Sequence, residues 1–223
     1  MARPKVPRKS TSVDMTAMCD VAFLLLSFFI LTTHFKAPEA ISVVTPSSVS
    51  SKVAPEKDVT LVSFTKDGKA YVSLDNEDVK EEVANQLNAM KGAGLSPADI
   101  AAFRTASFFG TPISQLKSAL AIPKDKLEAT TLPGIPIQDT ANNEMTTWMQ
   151  AIVAAHSKTG AKFNLIVKGD NLAKYPAFKN VISAFKKSEQ FKFQMITNPE
   201  SVPTGTDLWR KFMKGETETA SAE

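Results

Sequence analysis

Thr16-Ala17-Met18-Cys19-Asp20-Val21-Ala22-Phe23-Leu24-Leu25-Leu26-Ser27-Phe28-Phe29-Ile30-Leu31 is the stretch that organises this chain. Eleven residues, 21–31, are apolar apart from Ser27, and an ionisable carboxylate stands immediately before them. The apolar part alone, residues 21–35, would make a helix of roughly 22 Å, the length of a signal-peptide core. Extended back to Met15, the helix reaches roughly 31 Å and matches a hydrocarbon core of about 30 Å. That match places Asp20 inside the bilayer.

A cleaved leader is the competing reading. It needs small residues at a cleavage site, yet His34-Phe35-Lys36-Ala37-Pro38 follows the apolar run with bulk, charge and a proline. Cys19 precedes the run, so it is not placed as a lipid-attachment cysteine. An uncleaved anchor over residues 13–35 is therefore expected, and a secreted binding module with a removed leader is the alternative. Arg3, Lys5, Arg8 and Lys9 precede the helix and only Lys36 follows closely, which predicts a cytoplasmic basic N-terminus over residues 1–12 and an extracytoplasmic remainder.

Composition narrows the function. The net charge is +3, but residues 1–20 hold 4 basic and 2 acidic groups, leaving 22 basic against 21 acidic in the rest. A phosphate-binding face for nucleic acid is unsupported. The single cysteine excludes an internal disulfide. Two distant histidines, His34 and His156, with no carboxylate cluster make no metal site, so His34 is expected at the interface and His156 as a helix cap. No glycine-rich phosphate loop, nucleophile elbow or paired catalytic acids occur, so neither an enzyme nor a cofactor is expected.

Beyond the anchor, residues 36–57 hold Pro38, Pro46 and Pro55 among serines and read as an extended linker, with residues 41–44 as a possible short strand. Residues 59–64 and 70–74 flank Lys66-Asp67-Gly68-Lys69, a strong hairpin signal. A helix over 78–90 places Val79, Val83, Leu87 and Met90 on one face, and another over 145–157 does the same with Met145, Met149, Ile152 and Val153. A strand at 163–167, a helix at 176–188 with Phe178, Val181, Ile182 and Phe185 inward, and a strand at 191–197 complete a domain over 58–200. Residues 92–143 read as a helical insertion and a loop. Ser96-Pro97-Ala98-Asp99 starts one helix and Thr111-Pro112 another, with Ile100, Phe103, Phe108, Phe109, Leu116 and Leu120 as the insertion's own core. A short amphipathic turn is expected around Leu208–Met213, inside a tail over 201–223 whose end, from Gly215, is expected to be disordered.

The expected fold class is thus a single transmembrane helix plus a small α+β extracytoplasmic domain, a β-hairpin and helices on one face of a mixed sheet, with a helical insertion. This order of parts, together with Thr16-x-x-x-Asp20-Val21 leading into the apolar run, resembles the ExbD/TolR family of inner-membrane energy-transducing proteins. Two departures are Ala17, where a proline commonly follows the threonine, and the insertion at 92–143. The resemblance implies that Asp20 is the membrane carboxylate that gains and loses protons. It also implies a homodimer whose anchors sit inside a ring of ExbB-like multi-helix subunits and whose outer domain acts on a TonB-like protein. A TolR-like protein that grips peptidoglycan is the alternative within the family.

At 100° per residue, Thr16, Asp20, Leu24, Ser27 and Leu31 fall on one stripe of the helix. Thr16 and Ser27 are candidates to support Asp20, although such hydroxyls commonly bond the backbone or pack helices. The bland reading of Asp20 is an interfacial acid that ends the helix. Asp14, about 240° round from Asp20, is expected to be an interfacial cap.

Overall fold

The computed structural model describes residues 15–33, 41, 43–49, 54–55, 57–122, 132–137 and 143–213. The chain divides into two units, Met1–Ala37 and Pro38–Glu223. The expectations for the basic N-terminus, Asp14, His34 and the end of the tail lie outside the described residues.

The first unit contributes one helix, α1 (Met15–Thr32), 18 residues long. At 1.5 Å per residue it measures about 27 Å. The expected helix over 13–35 is thus described as slightly shorter, and it still includes Asp20. None of its residues is buried, and its mean hydropathy of 2.0 suits a membrane span.

The second unit starts within the Pro/Ser-rich stretch. In place of the strand expected at 41–44, a two-residue strand forms further along, as β1 (Ser47–Ser48), and part of the stretch packs where an extended linker was expected. Asn198 explains this. Its side-chain oxygen accepts from Thr45 Oγ1 at 2.8 Å and its amide donates to the Thr45 carbonyl at 3.1 Å, so Thr45 is buried. No local pattern announces a partner 153 residues away.

The hairpin forms as expected, from β2 (Val59–Phe64) and β3 (Ala70–Leu74) in antiparallel register with Val62 opposite Val72. Gly68 closes the turn at φ 75°, donating to the Thr65 carbonyl at 3.0 Å; a left-handed residue is needed there, which is why glycine follows the aspartate. Helix α2 (Glu77–Lys91) follows, capped by Asn76, whose side chain accepts from the amides of Asp78 and Val79, and ended by left-handed Gly92. Val79, Val83 and Leu87 are buried as expected, but Met90 is 43% exposed. The turn at Gly92 sends Leu95 into the core in its place.

The insertion begins with α3 (Pro97–Thr105), where Ser96 and Asp99 form a capping box. A 3-10 turn, Ile113–Gln115, and the short α4 (Leu116–Leu120) come next. Thr111 does not cap them: no side-chain bond is made there, and its hydroxyl is buried without a partner. Then come α5 (Glu144–Thr159), β4 (Asn164–Gly169), α6 (Tyr175–Lys187), the two-residue β5 (Gln194–Met195), β6 (Asn198–Pro199) and α7 (Asp207–Met213). The strand expected over 191–197 shrinks to β5, with Phe191 71% exposed, and β6 leaves the main sheet to pair in parallel with β1.

The four-stranded sheet is mixed, in the order β3-β2-β4-β5. β2 and β4 run parallel with Val62 opposite Val167, and β4 and β5 run parallel with Val167 opposite Met195. Alternation puts Val62, Phe64, Ala70, Val72, Leu74, Leu165 and Val167 on the face that packs against α2, α5 and α6. Tyr71 points to the opposite face, into a small cluster with Phe108 and Leu132.

The insertion does not keep a core to itself. Phe103 stacks on Phe109 at 3.9 Å between ring centres, and both rings lie against Trp148 of α5, so they join the main core. The cause is the outer edge of β3, whose unpaired backbone groups need partners. Val72 exchanges two hydrogen bonds with Phe109, at 2.7 and 2.8 Å, and the Ile135 amide donates to the Ala70 carbonyl at 2.8 Å. Arg104 adds charge contacts to Glu77, Asp78 and Glu81 on α2, exposed pairs that contribute little each.

Candidate functional site

The candidate residues lie on α1. Asp20 is its sixth residue, about 7 to 8 Å along the axis from Met15. Relative to Asp20, Thr16 lies about 40° away and one turn before, and Ser27 about 20° away and two turns after. The helix therefore brings the three onto one face, as the spacing predicts. It does not bring them into one hydrogen-bonded chain: seven residues of rise separate Asp20 from Ser27 by about 10 Å.

Ser27 spends its donor at home. Its Oγ donates to the Leu24 carbonyl at 2.9 Å. Thr32 Oγ1 donates to the Phe28 carbonyl at 2.8 Å, and Thr33 Oγ1 bonds the Phe29 carbonyl. Sequence reasoning passed over these two threonines, which take up the Phe28 and Phe29 carbonyls in the last turn of α1. In hydrocarbon such groups need internal partners, so this is what an anchor requires. The signal was visible as Thr32-Thr33 at the end of the apolar run.

The rest of α1 is a broad apolar surface. Phe23, Leu24, Leu25, Phe28, Phe29 and Leu31 are all more than half exposed. Between Met15 and Thr33, Asp20 is the single charged side chain. Asp20 is exposed as well, so among the described residues α1 offers its carboxylate no enclosing surface.

In the second unit, His156 does not cap the end of α5. It is 5% exposed, set between Thr60 of β2 at 3.3 Å and the Ala161 carbonyl at 3.4 Å, with its ring 4.8 Å from that of Phe163. Gly160 ends the helix instead, in the left-handed region, donating to the His156 carbonyl at 2.9 Å. Desolvation by burial lowers the proton affinity of the His156 ring, against the opposing pull of the Ala161 carbonyl and of the carboxylates of Asp58 and Asp75. Among the described residues, no three histidine, cysteine or acidic side chains gather where a metal ion would be held.

Residues 7–200 match the family described as biopolymer transport protein ExbD/TolR. The chain belongs to the ExbD/TolR family. The match runs through both the apolar helix and the α+β unit, the two parts on which the resemblance rested. No curated protein and no solved structure matches the chain. ExbD/TolR proteins are single-pass inner-membrane proteins and energy-transducing subunits for biopolymer transport, not enzymes. They work in membrane complexes with ExbB/TolQ-like partners.

Proposed function

We propose that the chain is an ExbD-like subunit of a proton-motive-force-driven motor, with Asp20 as the group that takes up and releases the proton. One observation carries this reading: α1 bears a single charged side chain, exposed and set a turn and a half inside an otherwise apolar helix. A lone intramembrane carboxylate is a functional group by default, because inserting it costs roughly 2.5 to 3.5 kcal/mol. A proton crossing about 100 mV releases about 2.3 kcal/mol. The two are of the same size, so the available drive can switch Asp20 between its charged and neutral forms.

In this reading residues 1–12 are cytoplasmic, residues 13–35 form the anchor and the domain over 58–200 lies in the periplasm, as the basic flank of Arg3, Lys5, Arg8 and Lys9 favours. Two anchors stand in a ring of ExbB-like subunits, which supply the polar surroundings that α1 lacks on its own. Protonation of Asp20 moves the anchors relative to the ring, and the outer domain passes the motion to a TonB-like protein. Thr16 and Ser27 shape the face that Asp20 presents.

The test is Asp20→Asn beside Asp20→Glu in a strain that depends on this protein for energised uptake. Asp20→Asn is expected to abolish uptake while the complex still co-purifies, and Asp20→Glu to retain part of it. Full uptake by Asp20→Asn would overturn the proton role. Capture of the full chain by peptidoglycan, with none by a TonB-like partner, would move the assignment to a TolR-like protein.

A further inference from the structure

We propose that His156 is an acid-sensitive latch that ties the start of β2 to the end of α5, so that the extracytoplasmic domain loosens there when its surroundings acidify. The latch is independent of what Asp20 does. The imidazole is buried with both nitrogens facing partners. The Ala161 carbonyl can only accept, which assigns the proton to Nδ1 and leaves Nε2 to accept from the Thr60 hydroxyl. Thr60 is fully buried and lies on the face of β2 turned toward α5.

A second proton, on Nε2, upsets this pairing. Nε2–H then points at a hydroxyl that was donating, so the Thr60 hydroxyl must turn its own proton away. An imidazolium is also left beside the Phe163 ring with 5% of the residue exposed. The charges that act on the ring come from the strand ends: Asp58 before β2 and Asp75 after β3. Both are committed elsewhere, Asp58 accepting from the Asn76 amide at 3.1 Å and Asp75 from the Val59 amide at 2.9 Å. On α5 itself, Lys158 is turned to Glu82 of α2 at 2.9 Å.

The consequence has a definite sign. The folded state takes up the proton less readily than the unfolded chain, whose histidine titrates near 6.5. Stability is therefore complete above about pH 6.5 and falls as the pH drops below it, with the unfolding constant rising by up to about tenfold per pH unit. The strain falls at β2, which is paired on both sides by β3 and β4 and so sits at the centre of the sheet.

The experiment uses the full chain in lipid nanodiscs, carrying isotope-labelled histidine. The sequence has two histidines, and His156→Gln assigns the signals. His156 is expected to titrate below 6.5, and amide exchange over residues 59–64, corrected for intrinsic rates, is expected to accelerate between pH 7 and 5.5. In His156→Gln that acceleration is expected to vanish. A His156 midpoint at or above 6.5, or the same pH profile in both proteins, overturns the latch. If His156→Gln does not fold, the wild-type titration decides alone.

Discussion

At Gly110 the backbone passes close against Tyr71 of the hairpin, and this offers a sharp test of how the insertion and the hairpin are joined. A Cβ added there would lie 2.1 Å from Tyr71 Cδ1 and 2.5 Å from Cε1. Ordinary contact begins near 3.4 Å, so the ring or the backbone has to move by about 1.3 Å. Neither moves freely. Tyr71 is 3% exposed, packs with Phe108 and Leu132, and donates to the Leu132 carbonyl at 3.4 Å; the Gly110 carbonyl accepts from the Gly134 amide at 2.8 Å. Overpacking of this kind costs about 1 to 3 kcal/mol. Gly110→Ala is thus expected to destabilise the domain by about 2 kcal/mol, in urea unfolding of the full chain in detergent followed by tryptophan fluorescence. The decisive measurement is a double-mutant cycle. In a Tyr71→Ala background the obstructing ring is gone, and Gly110→Ala is then expected to change stability by no more than about 0.5 kcal/mol. The same cost in both backgrounds, or no cost in the wild type, would refute the packing of the insertion on the hairpin.

Two other outcomes follow from local geometry. Ser96→Ala removes the hydroxyl that accepts from the Asp99 amide at 3.3 Å, so it is expected to cost about 1 kcal/mol in the same assay, with faster amide exchange confined to α3. Burial works to raise the Glu82 carboxyl, but hydrogen bonds from Gln86 and Lys158 and the Lys158 charge outweigh it and hold the group below its ordinary 4.5. Its stabilising contribution is therefore present above about pH 4.5 and lost as the pH falls through the lower folded value; the advantage of the wild type over Glu82→Gln should shrink on acidification, and an advantage that grows would contradict this.

Much of this chain could be read from local signals. The Asp-Gly turn, the Ser96 cap and the apolar spacing of α2, α5 and α6 act within a few residues, where propensity and periodicity operate. Errors came where the partner was distant. His156 stands in the last turn of α5 and reads as a cap, but the strand that closes over it is nearly a hundred residues earlier, and only the packed sheet brings Thr60 to its ring. Met90 keeps the helical spacing and fails because the chain turns at Gly92 and offers Leu95 instead.

The candidate site divides in the same way. That a charged residue stands alone in an apolar helix, with Thr16 and Ser27 on its face, was settled by the order of residues, because one helix has one geometry. That Ser27 donates to the Leu24 carbonyl emerged only with the backbone in place. The insertion shows the other side. Its aromatic residues were plain in the sequence, but a row of apolar residues says nothing of which surface receives it. The tertiary structure decided that Phe103 and Phe109 pack on Trp148, because the open edge of β3 needs hydrogen-bond partners and residues 109 and 135 supply them.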